Sequence, residues 1–250
     1  MKRIIVRADD LGYSKGVNYG IADSVKNGII RSVGVMVNMP DTRHGLELLK
    51  GVPVCYGLHT NICVGKPLTA PELIPSLVDE QGNFKSSRVY RAAKEDFVVL
   101  EEVMLEIEAQ LLRFIQLTGE KPHYFEGHAV ASANFFKGME LVAAKYGCDY
   151  LGLGFGGAVK FRNTNLVPVI DSWKEDYDPM ATLMACALKD YPDKTVPMMI
   201  CHPGYLDAFI MRTSSMLNPR VLEVEMACDR RTKDWLKDNG VEVITYDEIT

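Results

Sequence analysis

Short apolar runs alternate with longer stretches of helical periodicity along the whole chain. That alternation predicts βα units feeding a mainly parallel sheet. The first strand is read at 3–8. In 16–28, Val17, Ile21 and Val25 share one helical face and Gly28 offers a left-handed cap. Strands follow at 32–38 and 53–59, with a short helix between them. Over 94–117, Leu100, Val103, Ile107, Leu111 and Phe114 draw an apolar stripe along a long helix. Glu101, Glu102, Glu106 and Glu108 fall mostly off that stripe and read as a solvated face. Strands at 123–126, 148–153 and 196–201, helices at 134–146 and 219–239, and a closing strand at 241–246 complete the pattern. Residues 62–91 break the rhythm with three prolines and weak periodicity. They read as a loop insertion that covers a site or makes a subunit contact, the latter favouring a homodimer.

Composition narrows the class. At 250 residues the chain can bury one large core, so 1–250 is expected to form a single α/β domain. With 47% hydrophobic and 24% charged residues it reads as globular, and no run approaches the roughly twenty apolar residues that span a bilayer. No membrane partner is expected. The N-terminus enters strand-like sequence directly without an apolar leader, which predicts a cytoplasmic protein. The six cysteines lie scattered with no CxxC pair, as free buried thiols would. A net charge of -5 without a clustered basic face argues against nucleic acid as a partner.

Position carries the chemistry. Asp9-Asp10, His59-Thr60-Asn61, Glu126-Gly127-His128 and His202-Pro203 each lie where a predicted strand ends. In α/β barrels and open α/β sheets the carboxyl ends of the strands converge on one face, so four polar clusters predict one site. Two imidazoles and a carboxylate suit one divalent metal, supplied here by Asp10, His59 and His128. Zinc, cobalt and magnesium all fit that donor set. Asn61, two residues beyond His59, shares its side of the strand and is expected to orient it or contact substrate. Neighbours on a regular strand point apart, so Asp9 joins Asp10 only if the backbone turns, which Gly12 permits.

Arg7-Ala8-Asp9-Asp10-Leu11-Gly12, Gly57-Leu58-His59-Thr60-Asn61, the segment around His128, His202-Pro203-Gly204, Asn218-Pro219-Arg220 and Tyr246-Asp247 together resemble the YdjC-like carbohydrate deacetylases in order and spacing. The resemblance spans nearly the whole chain. It implies a distorted, incomplete (β/α) barrel of the polysaccharide-deacetylase type, with acetylated chitooligosaccharides, sometimes phosphorylated, as substrates. It also implies that the second aspartate of the motif and two histidines, here Asp10, His59 and His128, hold the metal. The family's Asp-Ser-His-x-His segment is replaced by Glu126-Gly127-His128-Ala129-Val130, which bears on specificity and metal affinity.

The implied reaction needs a base for water and an acid for the departing amine, and Asp9 and His202 are placed for those roles. Arg162, after the glycine-rich segment 152–157, is expected to contact sugar or phosphate. That segment lacks the following amphipathic helix of a dinucleotide fingerprint and reads as a tight loop. Cys201 beside His202 suggests a nucleophile pair, but adjacent strand residues diverge. His44 and His123 read as structural, and Met198-Met199 as core. Two other functions share these residues: metal-dependent phosphoester hydrolysis, disfavoured by the small number of ligands, and sugar binding without catalysis, disfavoured by Asp9 and His202.

Overall fold

A computed structural model describes residues 2–250 except Leu153, Phe155 and Gly156. The strands are β1 (Lys2–Leu11), β2 (Ser32–Val35), β3 (Cys55–Thr60), β4 (Phe125–Gly127), β5 (Val159–Phe161), β6 (Thr164–Val169), β7 (Thr195–Cys201) and β8 (Val241–Ile244). The helices are α1 (Lys15–Lys26), α2 (Thr42–Leu48), α3 (Ser87–Ala92), α4 (Leu100–Thr118), α5 (Ala133–Tyr146), α6 (Pro179–Leu188), α7 (Ala208–Thr213), α8 (Asn218–Cys228) and α9 (Arg230–Asp238).

The strands form one curled sheet in the order β4-β3-β2-β1-β7-β6-β5, parallel except for the β5–β6 hairpin. Ile5 pairs with both Met198 of β7 and Ile244 of β8, so β8 lies on the β2 side of β1, at its amino end. The sheet stays open between β4 and β5, giving the incomplete barrel. Period-two alternation divides its two faces. Ile4, Val6 and Ala8 join the core beneath the helices, while Ile5, Val196, Met198, Ile200 and Ile244 fill the barrel with Tyr124 and Tyr246. Those two tyrosine rings stack at 3.9 Å between centroids.

Local chemistry explains most element ends. Ser14 and Ser132 accept from backbone N–H groups in the first turns of α1 and α5, and Gly119 and Gly147 close α4 and α5 in the left-handed conformation. The single helix predicted over 219–239 is two. Asp229 leaves helical geometry at ψ 131° and caps α9 with its side chain. Only Tyr150 of the strand expected at 148–153 pairs, in an isolated bridge to Phe125, and Leu153 lies outside the described residues. The tight loop expected at 152–157 likewise falls partly outside them.

Segment 62–91 is a packed arm with a 3-10 turn, a Val78–Phe84 bridge and α3, burying Ile62, Ile74, Leu77 and Phe84. Its anchors overturn the solvated reading for two of the α4 glutamates, while Glu101 stays exposed. Glu106 is fully buried and accepts from the N–H groups of Leu68 and Thr69, and Glu102 accepts from that of Ser76. A long-range backbone partner has captured side chains that helical periodicity alone assigns to water.

Candidate functional site

Inward alternation continues past the apolar layer. Arg7 and Asp9 follow Ile5 on β1, His59 follows Gly57 on β3, Glu126 and His128 follow Tyr124, and His202 follows Ile200. Packing is close: a Cβ at Gly57 would sit 2.2 Å from the Tyr124 ring, and one at Gly34 2.8 Å from Asp9 Oδ1.

A regular strand would turn Asp10 away from Asp9. Instead Asp10 has φ 78°, in the left-handed region, and the β1–β2 register shifts between Ala8 and Leu11. The bend therefore begins at Asp10 itself, and Gly12 at φ 104° completes it. Both carboxylates reach His59. Asp9 offers an oxygen within 4.8 Å of it, and Asp10 Oδ1 lies 3.3 Å from Nε2.

Asp10 Oδ1, His59 Nε2 and His128 Nδ1 form a triangle with sides of 3.3, 3.1 and 2.9 Å. Ligands sharing a cation at 2.0–2.1 Å stand about 3.0 Å apart in octahedral and about 3.4 Å in tetrahedral geometry. Asp10 Oδ1 is buried and makes no well-formed hydrogen bond, its neighbours being the two imidazoles of the triangle. Donor types and spacing fit one divalent cation. A second group, Asp9, His59 and Glu126, already holds a positive charge. There Arg7 Nη2 lies 2.8 Å from Asp9 Oδ2 and 3.1 Å from Glu126 Oε2.

Burial works against charge on both imidazoles. Glu126 and Asp9 nevertheless raise His59 well above its usual range, and Asp10 with the Cys63 thiol raises His128 to about 9. Protons therefore compete for the ligand positions. Apparent zinc affinity should climb about tenfold per pH unit for each proton displaced, up to at least about pH 9. Calorimetric titration across that range checks this, and a flat profile would contradict it.

Glu126 had a place in the polar cluster but no assigned role. Its carboxylate accepts from His59 Nδ1, the arrangement that fixes the tautomer and orientation of a metal-ligating histidine. Its inward position two residues before His128 was the available signal. Glu126→Gln should weaken metal binding roughly 10- to 100-fold while the fold survives, as measured by metal titration and thermal melting.

Arg220 and Glu223, one turn apart on α8, are further functional residues that sequence did not assign. Arg220 Nη2 donates to Asp10 Oδ2 at 2.7 Å and Nη1 to the His202 carbonyl at 3.3 Å. Glu223 Oε2 accepts from the His202 N–H at 2.5 Å, and its Oε1 accepts from Tyr177 at 2.8 Å. The peptide of His202 is thus gripped on both sides. Its imidazole Nδ1 is buried without a partner, and burial pushes the ring down to about 4 against the pull of Asp10 and Asp9. His202 is therefore held in its neutral form near pH 7.

Two expected substrate contacts are engaged elsewhere. Asn61 is fully buried, its Oδ1 accepting from Cys63 and Val64 N–H groups and its Nδ2 donating to Asn38 Oδ1 and the Val64 carbonyl. With every donor and acceptor used, it builds the turn after β3 and has no hydrogen bond to spare for His59. Arg162 sits before β6, at the amino end of the sheet, where it binds Asp149 and the carbonyls of Tyr246 and Ile249. It braces the C-terminal segment on the opposite side from the cluster. Cys201 points out of the barrel into the helical layer, where burial raises its thiol far above the usual range, so it is no nucleophile. His44 bonds to Asn18, away from the cluster.

The family described as YdjC-like protein matches residues 3–238. The chain belongs to the YdjC-like family. Its curated relatives include carbohydrate deacetylase 2 of Listeria innocua, 31% identical over 99% of this chain and 98% of that protein. The carbohydrate deacetylase of Geobacillus stearothermophilus is 32% identical over 98% and 97%. A chitooligosaccharide deacetylase of Escherichia fergusonii is 27% identical over 98% of each. Among solved structures, a candidate cellobiose-phosphate cleavage protein of Enterococcus faecalis superposes with a TM-score of 0.84 at 22% identity, covering 100% and 99% of the two chains. The family 4 carbohydrate esterase of Streptomyces lividans gives 0.52 at 10% identity over 99% and 95%. The YdjC-like chain thus shares the curled barrel of the polysaccharide deacetylases.

Proposed function

We propose that this YdjC-like chain is a metal-dependent carbohydrate deacetylase that hydrolyses the N-acetyl group of an amino-sugar, of the chitooligosaccharide class. The observation that carries the reading is the juxtaposition of the Asp10–His59–His128 triangle with Asp9, whose Oδ1 is unpartnered beside it. The names of the relatives support the substrate class.

Asp10, His59 and His128 would hold the cation. When bound it supplies Lewis-acid polarisation of the acetyl carbonyl and acidifies water. Asp9 Oδ1 takes the proton of the attacking water while Arg7 fixes the other oxygen. His202 carries that proton to the departing amine. It starts neutral, and the negative charge developing at the attacked carbonyl, added to that of Asp10, draws onto the ring the proton that Asp9 took from water, returning Asp9 to its charged form. Arg220 and Glu223 keep the ring in register with Asp10.

The test is acetate release from diacetylchitobiose and its phosphorylated form, with and without a chelator. Release that the chelator stops supports the reading. A metal-loaded protein that frees no acetate from any acetylated sugar, yet hydrolyses a phosphoester, would replace it with the rival hydrolase.

A further inference from the structure

At the amino end of the barrel, away from Asp10, three more ligand types meet. Cys55 opens β3, His123 leads into β4, and Asp247 follows β8 in the 3-10 turn Tyr246–Glu248. The thiol sulfur, one ring nitrogen and one carboxylate oxygen all lie within 4.8 Å of one another. We propose that Cys55, His123 and Asp247 form a second cation site, for a thiophilic divalent ion of the zinc class, which clasps the C-terminal turn to the floor of the barrel.

The requirements for such a site are ligand identity, spacing, a supporting shell and an entry path. Sulfur, imidazole and carboxylate together favour a thiophilic ion over magnesium or calcium. Around a tetrahedral zinc these atoms would stand about 3.3 to 3.6 Å apart. His123 Nδ1 and Asp247 Oδ1 are now 2.5 Å apart, so Asp247 has to retreat by roughly 1 Å to admit an ion. It can, because its side chain is 48% exposed. The same exposure opens a path from solvent to the buried sulfur. The other ring nitrogen of His123 lies 3.5 Å from Glu120 Oε1, which places a carboxylate behind the histidine as Glu126 stands behind His59. The sulfur also faces the backbone N–H groups of Tyr246 and Asp247, which favour a thiolate. Burial otherwise pushes the Cys55 thiol up to about 12, so binding breaks the S–H bond, forms the S–metal bond and sends the proton to solvent.

Placement gives the site a purpose. Asp247 follows Tyr246, whose ring stacks on Tyr124 and whose hydroxyl accepts from Arg7 at 3.1 Å. A cation joining Cys55, His123 and Asp247 would tie this C-terminal plug to β3 and to the approach to β4, beside the open edge of the sheet.

Titration of the reduced protein with Co2+ tests the assignment, with Cys55→Ser separating the Cys55 sulfur from that of Cys63, which hydrogen-bonds His128 beside the first site. The wild type should take up about two equivalents and show a thiolate-to-cobalt charge-transfer band. Cys55→Ser should lose the band and one equivalent, and Asp247→Asn should weaken formation of the band at least tenfold, about what loss of a ligand-shell group costs. His59→Ala should remove the other equivalent and keep the band. Uptake of one equivalent without a thiolate band, or a band that survives Cys55→Ser, overturns the proposal and leaves an ordinary His123–Asp247 ion pair beside a buried thiol.

Discussion

Asp9→Asn should lower kcat for acetate release by about 10²- to 10⁴-fold, the span of a lost general base, while metal content and thermal stability stay close to wild type. Metal content should hold because Asp9 is outside the Asp10–His59–His128 triangle. Stability should hold because Asn keeps an oxygen for Arg7, which retains Glu126 as a second partner. Kinetics and metal analysis on the same preparation decide the matter. If the variant loses its metal, Asp9 is a ligand and the roles of the two aspartates are exchanged.

Asp10→Ala should do more damage, and of two kinds. Removing Oδ1 leaves two imidazoles 2.9 Å apart to hold the cation, and stoichiometric binding should be lost together with turnover. Removing Oδ2 strands the guanidinium of Arg220, which is 2% exposed and whose ion-pair partner is Asp10. An uncompensated buried charge costs about 3–5 kcal/mol, so the urea midpoint should fall even when wild type and variant are compared free of metal. A variant that loses metal but keeps its metal-free stability would show that Arg220 finds another partner, such as the Met216 and His202 carbonyls it already touches.

Much of this was legible in the sequence. Alternation and strand-end position are local properties, and they placed Asp9, Asp10, His59, His128 and His202 on one rim because parallel strands deliver their carboxyl ends to one side. The same reasoning failed for Asn61 and Arg162. Both are polar residues near strand ends, yet the partners that occupy them are an adjacent turn in one case and the C-terminal segment, 84 residues away, in the other. The solvated reading failed similarly for Glu102 and Glu106, because helical periodicity cannot show that an arm some forty residues upstream will present bare N–H groups to Glu106.

The sequence by itself determined the family, the parallel α/β class and the set of chemical groups, since those depend on residue type and on spacings of two and 3.6 that any short segment carries. Tertiary structure decided how the groups act. The left-handed turn at Asp10 brings two neighbouring carboxylates to one histidine, Glu126 aims that histidine across 67 residues, and Arg220 reaches Asp10 across 210. The surroundings then set the charges: Asp10 raises His128 to about 9 against its burial, and burial lowers His202 to about 4, although both are ordinary imidazoles in the chain. A side chain's protonation follows the field and the dielectric around it, and those exist only once the sheet has curled around Arg7, Asp9 and Asp10.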